Sequence, residues 1–536
     1  PLLHVSPSLM KHFLANSNED GRDSTSSDFD TRLFHEYYAY PFYKGITEGG
    51  SRAFMAAYNS WNGIPMSIHP CLEEITRKQW GNNGIICTDG GALKLLIEAH
   101  KSFPSFAEGA AAVVKATTGQ FLDAYVPYVK EALEKGLLTE VDIDKAIRGN
   151  IFVALKLGLL DGDNSRNPYL SIGKNSTETP PFMTAEARRL AREVTAKSVV
   201  LLKNKKLLPL DAGKLRKIAV IGPYSDKIVQ DWYSGTPPYE TTILSGIRNA
   251  VKEGTEIIHA EDNRMGQAEK AAAAADVAIV CVGNHPYGTR ADWKFSPVPS
   301  DGREAVDRKS LMLPDEDLVK LVLKANPNTI LVLASSSPST INWSQEHVPA
   351  IVHITHCSQE QGNGLADVLF GKVNPAGRTV QTWVKDITDL PDIMDYDIRN
   401  GRTYMYHQGP VLYPFGYGLS YSDFAYEKIE SFKQDKKNIR VTVSVKNTSG
   451  RDGEEVVQLY ASYPESKVER PSKQLRAFRR IPIKAGETRK VTLTVPKEEL
   501  GYWNEGKQMF VVEPGTVKLL IGASSEDIRL EGKIRL

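Results

Sequence analysis

Gly84-Ile85-Ile86-Cys87-Thr88-Asp89-Gly90-Gly91-Ala92-Leu93 is an apolar run that ends in a carboxylate and two glycines. The residues before Asp89 read as a buried parallel strand. The glycines read as the loop at its C-terminal end, which in a (β/α) barrel is the catalytic face. With no Cβ behind it to block a ligand, Asp89 is expected to point into a pocket. The competing reading is an Asp that caps the helix predicted over 92–102, a common use of Asp after a strand.

Outward from this strand, residues 1–160 alternate strand-like and helix-like stretches in the βα manner. The pattern predicts a strand at 2–5, a loop over 11–16, a helix over 31–45 and a strand over 53–59. A helix over 72–80, the Asp89 strand and helices over 125–135 and 141–157 follow. These make three or four βα units, whereas a closed barrel has eight, so the segment reads as half a barrel. Residues 161–190 are rich in Asn, Ser, Thr, Gly and Pro and read as a linker, with Pro180-Pro181 its stiffest point. Over 191–395, apolar β-branched strands at 218–221, 277–282, 329–333 and 351–354 alternate with helices at 267–274, 316–325 and 364–370. That pattern indicates a mostly parallel sheet covered on both faces. Beyond Pro410 the period changes to two, in stretches such as Val441-Thr442-Val443-Ser444-Val445 and Val491-Thr492-Leu493-Thr494-Val495. Residues 396–536 therefore read as an all-β sandwich. The expected fold class is a multidomain α/β chain: a partial (β/α)8 barrel, an α/β domain and a C-terminal β-sandwich.

The chain has 536 residues, is 41 % hydrophobic and 24 % charged, and carries a formal net charge of +1. This is ordinary globular composition. It contains no basic run, RNA-binding aromatic signature or zinc-finger spacing, so nucleic acid is not an expected partner. No apolar run reaches the roughly 18 to 20 residues of a membrane span. Cys71, Cys87, Cys281 and Cys357 are far apart in sequence, which suits buried thiols better than disulfides or metal ligands. No signal peptide is present, and the chain opens on Pro1 as if its beginning had been removed.

Several stretches together resemble glycoside hydrolase family 3 over nearly the whole length. They are Lys11-His12-Phe13 with Asn16; Met55-Ala56-Ala57-Tyr58-Asn59 with Asn62-Gly63-Ile64-Pro65; Gly84 to Ala92; and Val199-Val200-Leu201-Leu202-Lys203-Asn204 with Leu207-Leu208-Pro209-Leu210. Asn374-Pro375-Ala376-Gly377-Arg378 and Tyr413-Pro414-Phe415-Gly416-Tyr417-Gly418-Leu419-Ser420-Tyr421 complete the set. The resemblance implies a retaining, exo-acting β-glycosidase with a truncated or split barrel, an α/β sandwich and a fibronectin-III-like C-terminal domain, extracellular or periplasmic. Members so organised remove terminal glucose, xylose or related sugars, so an oligosaccharide or glycoside is the expected partner. Against the family, about three barrel strands are lacking before Pro1. Either they lie on another chain or segment or this piece is inactive alone, and a homodimer is among the open arrangements.

Retaining hydrolysis needs one carboxylate to attack the anomeric carbon and a second group to protonate the leaving oxygen, about 5 to 5.5 Å apart. Asp89 matches the family nucleophile. Lys11 and His12 resemble the pair that binds sugar hydroxyls, though a surface dipeptide is the plain alternative. Tyr58 resembles the tyrosine beside the nucleophile, and Met55 shares its motif. The proton donor is expected in the long loop over 283–310, where Glu304-Ala305-Val306-Asp307-Arg308 resembles the family's Glu-x-x-Asp-Arg, with Ala305 where the family often has Gly. Asp292, Asp301 and Asp307 are rivals, and Asp307-Arg308 also reads as an ion pair holding the loop. Trp232, Tyr233 and Trp293 are candidates for stacking on sugar rings. His353 and His356, three apart on a strand, point to opposite faces and argue against a shared metal. Gly362-Asn363-Gly364 lacks the flanks of a phosphate loop, and no Gly-x-Ser-x-Gly elbow occurs. The expected function is a β-glucosidase-type hydrolase without metal or cofactor. A β-xylosidase and an inactive carbohydrate-binding remnant are the alternatives. Gly90 in place of Trp, Tyr233-Ser234-Gly235-Thr236-Pro237 and Gly401-Arg402-Thr403-Tyr404 resemble the xylosidase branch.

Overall fold

A computed structural model describes residues 8–162, 179–229, 235–284, 304–357 and 359–536, so the strand predicted at 2–5 lies outside it. The chain forms two compact units. One holds Pro1–Glu178 with Asp392–Asp397 and Tyr502–Val511. The other holds the rest.

In the first unit, Leu9–Phe13, Ala53–Ala56 and Ile85–Cys87 make a three-stranded parallel sheet in that order. Cys87 also forms a parallel bridge to Gln120. The stretch predicted as a loop over 11–16 is therefore half strand. Lys11 and His12 disguise it because they are polar residues in a strand of which only the last residue, Phe13, is fully buried. The helix after Asp89 spans only Ala92–Glu98, and a second helix, Phe106–Lys115, begins at Ser105, whose side chain accepts the Glu108 amide. Helices Val126–Glu134 and Glu140–Lys156 follow, the latter opened by a Thr139/Asp142 capping box.

Glu140–Lys156 lies backbone to backbone on the Asp89 strand. A Cβ on Gly149 would stand 1.9 Å from the Gly84 carbonyl oxygen. Gly149→Ala should gain about 0.5–1 kcal/mol of helix propensity but lose about 1–3 kcal/mol to overpacking. The clash wins, and the midpoint of urea unfolding should fall. An unchanged or higher midpoint would refute this packing.

Two distant segments complete this unit. The Tyr396 hydroxyl donates to Asn18 Oδ1 at 2.6 Å, and the Trp503 ring stacks on His35 with centroids 3.4 Å apart. Burial drives the His35 imidazole down to about 4, so it packs as a neutral ring.

The second unit opens with helix Ala185–Ser198, capped by Thr184, which starts inside the stretch that reads as linker. Its sheet has six strands, not four, in the order Val200–Asn204, Ala350–Ile354, Thr329–Ala334, Val277–Gly283, Lys217–Ile221, Glu256–Ala260. All neighbours are parallel except the first pair. Val277–Gly283 is buried along its whole length, which is why its apolar run was legible. Glu256–Ala260 was not, because an edge strand keeps polar residues. The strand at 350–354 ends before His356, so His353 and His356 do not share a strand, contrary to expectation: the chain leaves the sheet after Ile354. The helix predicted over 364–370 starts earlier, at Gln361, and buries Gly362 against Thr242.

Beyond it, strands Phe424–Gln434, Asn438–Asn447 and Thr488–Pro496 form one antiparallel sheet. Gln474–Ile483, Gly453–Ser462, Thr516–Gly522 and Ile528–Arg535 form the other. Val441, Val443, Leu459, Leu519 and Ile521 fill the space between them. The Tyr413 to Tyr421 stretch fastens the sandwich to the parallel sheet. Tyr417 and Tyr421 hydroxyls donate to the Leu202 and Val368 carbonyls at 3.1 and 3.0 Å. Arg378 and Glu455 add an ion pair of 2.9 Å, their side chains 10 % and 3 % exposed.

Candidate active site

The strand Ile85–Cys87 delivers Asp89 to its C-terminal end two residues on, and Thr88 beneath it is fully buried. Asp89 Oδ1 accepts the Gly90 amide at 2.7 Å, and Oδ2 lies 3.2 Å from His12 Nε2. The adjacent helix takes its cap from elsewhere: Gly91 and Leu93 amides donate to Asp123 at 2.5 and 3.3 Å. Asp89 is thus released from the capping role its position suggested. Gly91 has φ +79°, a backbone conformation that only glycine adopts without strain, and a Cβ on Gly90 would meet nothing within 4 Å. Open space therefore adjoins the carboxylate, whose side chain is 17 % exposed.

Burial pushes the Asp89 carboxyl up, but the hydrogen bond and charge of His12, the Gly90 amide and the Tyr58 hydroxyl outweigh it. The net result is a carboxyl held below its ordinary value of 3.8. Tyr58 donates to the Gly90 carbonyl at 2.6 Å. Burial, and then the Asp89 charge, raise its phenol far above the ordinary range, so it remains a donor. The Arg22 guanidinium sits 5.5 Å from the Tyr58 ring centre, and His100 Nε2 lies 2.8 Å from the Tyr58 carbonyl oxygen. Burial and Asp89 push the neighbouring Cys87 thiol up to about 11, which leaves it un-ionised.

Of the residues expected at the site, the structure brings Asp89, His12 and Tyr58 together. Lys11 is exposed on the same strand as His12, and Met55, 5 % exposed, pairs in register with Cys87. Glu304 belongs to the second unit, half-buried at the start of the described segment 304–357. Four residues later, Arg308 donates to Ser337 Oγ and the Pro338 carbonyl at 2.9 and 2.7 Å, and so fastens this end of the loop to the turn after Thr329–Ala334. Trp232, Tyr233 and Trp293, with rivals Asp292 and Asp301, lie outside the described residues. Asp123, Arg22 and His100 were missed. Asp123 closes the short run Gln120-Phe121-Leu122 beside Cys87, a weak strand-end signal, whereas Arg22 and His100 carry none. Among the described residues, no group of three His, Cys, Asp or Glu side chains is placed to hold a metal. No helix there is long and apolar enough to cross a membrane.

Removing His12 should release Asp89 toward its ordinary acidity. The folded form of a depressed carboxyl is stabilised above the unfolded pKa, and that stability is lost as pH falls through the folded value. In His12→Ala, the acid limb of kcat/KM against pH should therefore move to higher pH. A limb that stays in place would show that His12 does not hold the carboxylate.

The chain's parts are a βα sheet with a carboxylate at its rim, a parallel-sheet domain and a β-sandwich, and the proteins it resembles are glycoside hydrolases. The chain belongs to glycosyl hydrolase family 3. Residues 4–149 match the Glycosyl hydrolase family 3 N terminal domain, 199–421 the Glycosyl hydrolase family 3 C-terminal domain, and 455–525 the Fibronectin type III-like domain. The chain is 30 % identical to the periplasmic beta-glucosidase of Salmonella typhimurium, covering 97 % of this chain and 72 % of that protein. It is also 30 % identical to a beta-xylosidase of Formosa agariphila, covering 96 % and 73 %. The crystal structure of the Bifidobacterium adolescentis GH3 beta-glucosidase superposes with a TM-score of 0.83 at 26 % identity, over 98 % of this chain and 76 % of that one.

Proposed function

We propose that this hydrolase removes terminal β-D-glucosyl residues from the non-reducing ends of oligosaccharides or glycosides, with retention of configuration. The placement of Asp89 at a strand end, its carboxylate held by His12 and the Gly90 amide, is the observation that carries this reading.

The Asp89 carboxylate attacks the anomeric carbon as the glycosidic C–O bond breaks, and the Glu304 carboxyl gives its proton to the departing oxygen. Glu304, now a carboxylate, takes a proton from water. The water oxygen then displaces Asp89 from the glycosyl-enzyme. Lys11, His12 and Tyr58 hold the sugar hydroxyls. Met55 lines the strand behind them, and Trp232, Tyr233 and Trp293 offer aromatic faces. Two carboxyls perform the whole cycle, so no cofactor enters it. The domain limits that go with this reading are 1–160, 191–395 and 396–536 around a linker at 161–190. The relative named periplasmic supports a location outside the cytoplasm.

β-Xylosidase activity is the second reading. The unobstructed space at Gly90 and the beta-xylosidase relative at equal identity favour it. Hydrolysis of 4-nitrophenyl β-D-glucoside and β-D-xyloside side by side decides the sugar. Trapping with a 2-deoxy-2-fluoro glycoside tests the nucleophile, and a label on a peptide without Asp89 would overturn the assignment.

A further inference from the structure

Asp89 is followed by two glycines, and the Gly90–Gly91 peptide has no Cβ on either side to restrain its rotation. Both ends of that peptide are nevertheless gripped by side chains from other parts of the first unit. The Tyr58 hydroxyl donates to its carbonyl oxygen at 2.6 Å, and its N–H donates to Asp123 Oδ1 at 2.5 Å. The next amide upstream, that of Gly90, is the one that meets Asp89 Oδ1. A turn of the Gly90–Gly91 peptide would therefore carry this donor away from the carboxylate.

Helix capping alone does not account for Asp123. A cap serves the first amides of a helix, and the Leu93 amide, 3.3 Å from Asp123 Oδ2, answers to that role. Gly91 precedes the helix, and its shorter bond holds the loop. Asp123 in turn stands on a fixed base. The Thr88 amide donates to the Gln120 carbonyl at 3.0 Å, the Leu122 amide to Thr88 Oγ1 at 3.4 Å, and Asn150 Nδ2 to the Gly119 carbonyl at 3.0 Å. The Phe121 ring stacks on Tyr125 with centroids 4.0 Å apart.

We propose, on the reading that Asp89 is the nucleophile, that Asp123 is a positioning residue for the hydrolysis. With Tyr58 it locks the Gly90–Gly91 peptide and so fixes where the Asp89 carboxylate meets the sugar. Reacting groups need to be held within about 0.5 Å, and a displacement of about 1 Å costs about 10²-fold in rate.

Steady-state kinetics on whichever 4-nitrophenyl glycoside the full chain cleaves faster, well below each variant's melting midpoint, test the proposal. Asp123→Ala should lower kcat by about 10- to 100-fold with KM changed by no more than about twofold. Asp123→Asn loses the charge but keeps an oxygen for the Gly91 amide, and it should recover most of that loss. Ser105→Ala strips the cap from helix Phe106–Lys115 in the same unit without touching the loop, and both constants should stay at wild-type values. A wild-type kcat in Asp123→Ala, an Asp123→Asn as slow as Asp123→Ala, or an equal loss in Ser105→Ala would each overturn the positioning role. Asp89→Ala separates the two ways of failing. If it is inactive while Asp123→Ala runs at the wild-type rate, only the role of Asp123 falls; if Asp89→Ala keeps its activity, the nucleophile assignment falls and the role of Asp123 with it.

Discussion

Asp89→Ala should lower kcat for 4-nitrophenyl glycosides by about 10⁴-fold or more, because the proposed mechanism forms the glycosyl-enzyme on Asp89. The loss should be chemical, not structural. Asp89 holds no helix cap, since Asp123 does that, and its own partners are His12 and the Gly90 amide. The melting midpoint should accordingly stay near that of wild type, and added azide should restore turnover, releasing a glycosyl azide of inverted configuration. Retention of more than a few per cent of activity without azide would remove Asp89 from the nucleophile's role.

Glu304→Ala should show a different signature. General acid catalysis is worth about 10²–10⁴-fold, and the loss scales with how much the leaving group needs a proton. Hydrolysis of a disaccharide should fall by the full amount. Attack on 4-nitrophenyl glycosides should be much less impaired, so that the glycosyl-enzyme accumulates and azide yields a product of retained configuration. Asp307→Ala is the comparison, since Asp307 is three residues away and beside Arg308, which is anchored on Ser337 and Pro338. If Asp307→Ala shows this signature and Glu304→Ala does not, the proton donor is Asp307.

Legibility followed burial. Val277–Gly283 and Thr329–Ala334 are covered on both faces, and their sequences are unbroken apolar runs. Val441 to Val445 and Val491 to Val495 sit on one-sided sheets and alternate cleanly. Glu256–Ala260, Gln474–Ile483 and Ile528–Arg535 lie at sheet edges, where charged residues are admitted and the pattern dissolves. At the site, Asp89 and Tyr58 were legible because they close apolar strand runs. His12 was placed by resemblance, while its strand was hidden by its own polarity. Asp123, Arg22 and His100 act across 30 or more residues of chain on Gly91, the Tyr58 ring and the Tyr58 carbonyl, and no local pattern encodes such a meeting.

The contribution of Tyr396 and Trp503 to the first unit bears on how the chain matures during synthesis. The partners of Asn18 and His35 leave the ribosome hundreds of residues after them. The scaffold around Asp89 therefore waits, incompletely closed, until almost the last strands of the sandwich are made. A nascent chain arrested before residue 503 should expose the His35 face to proteases and chaperones, whereas the released protein should not.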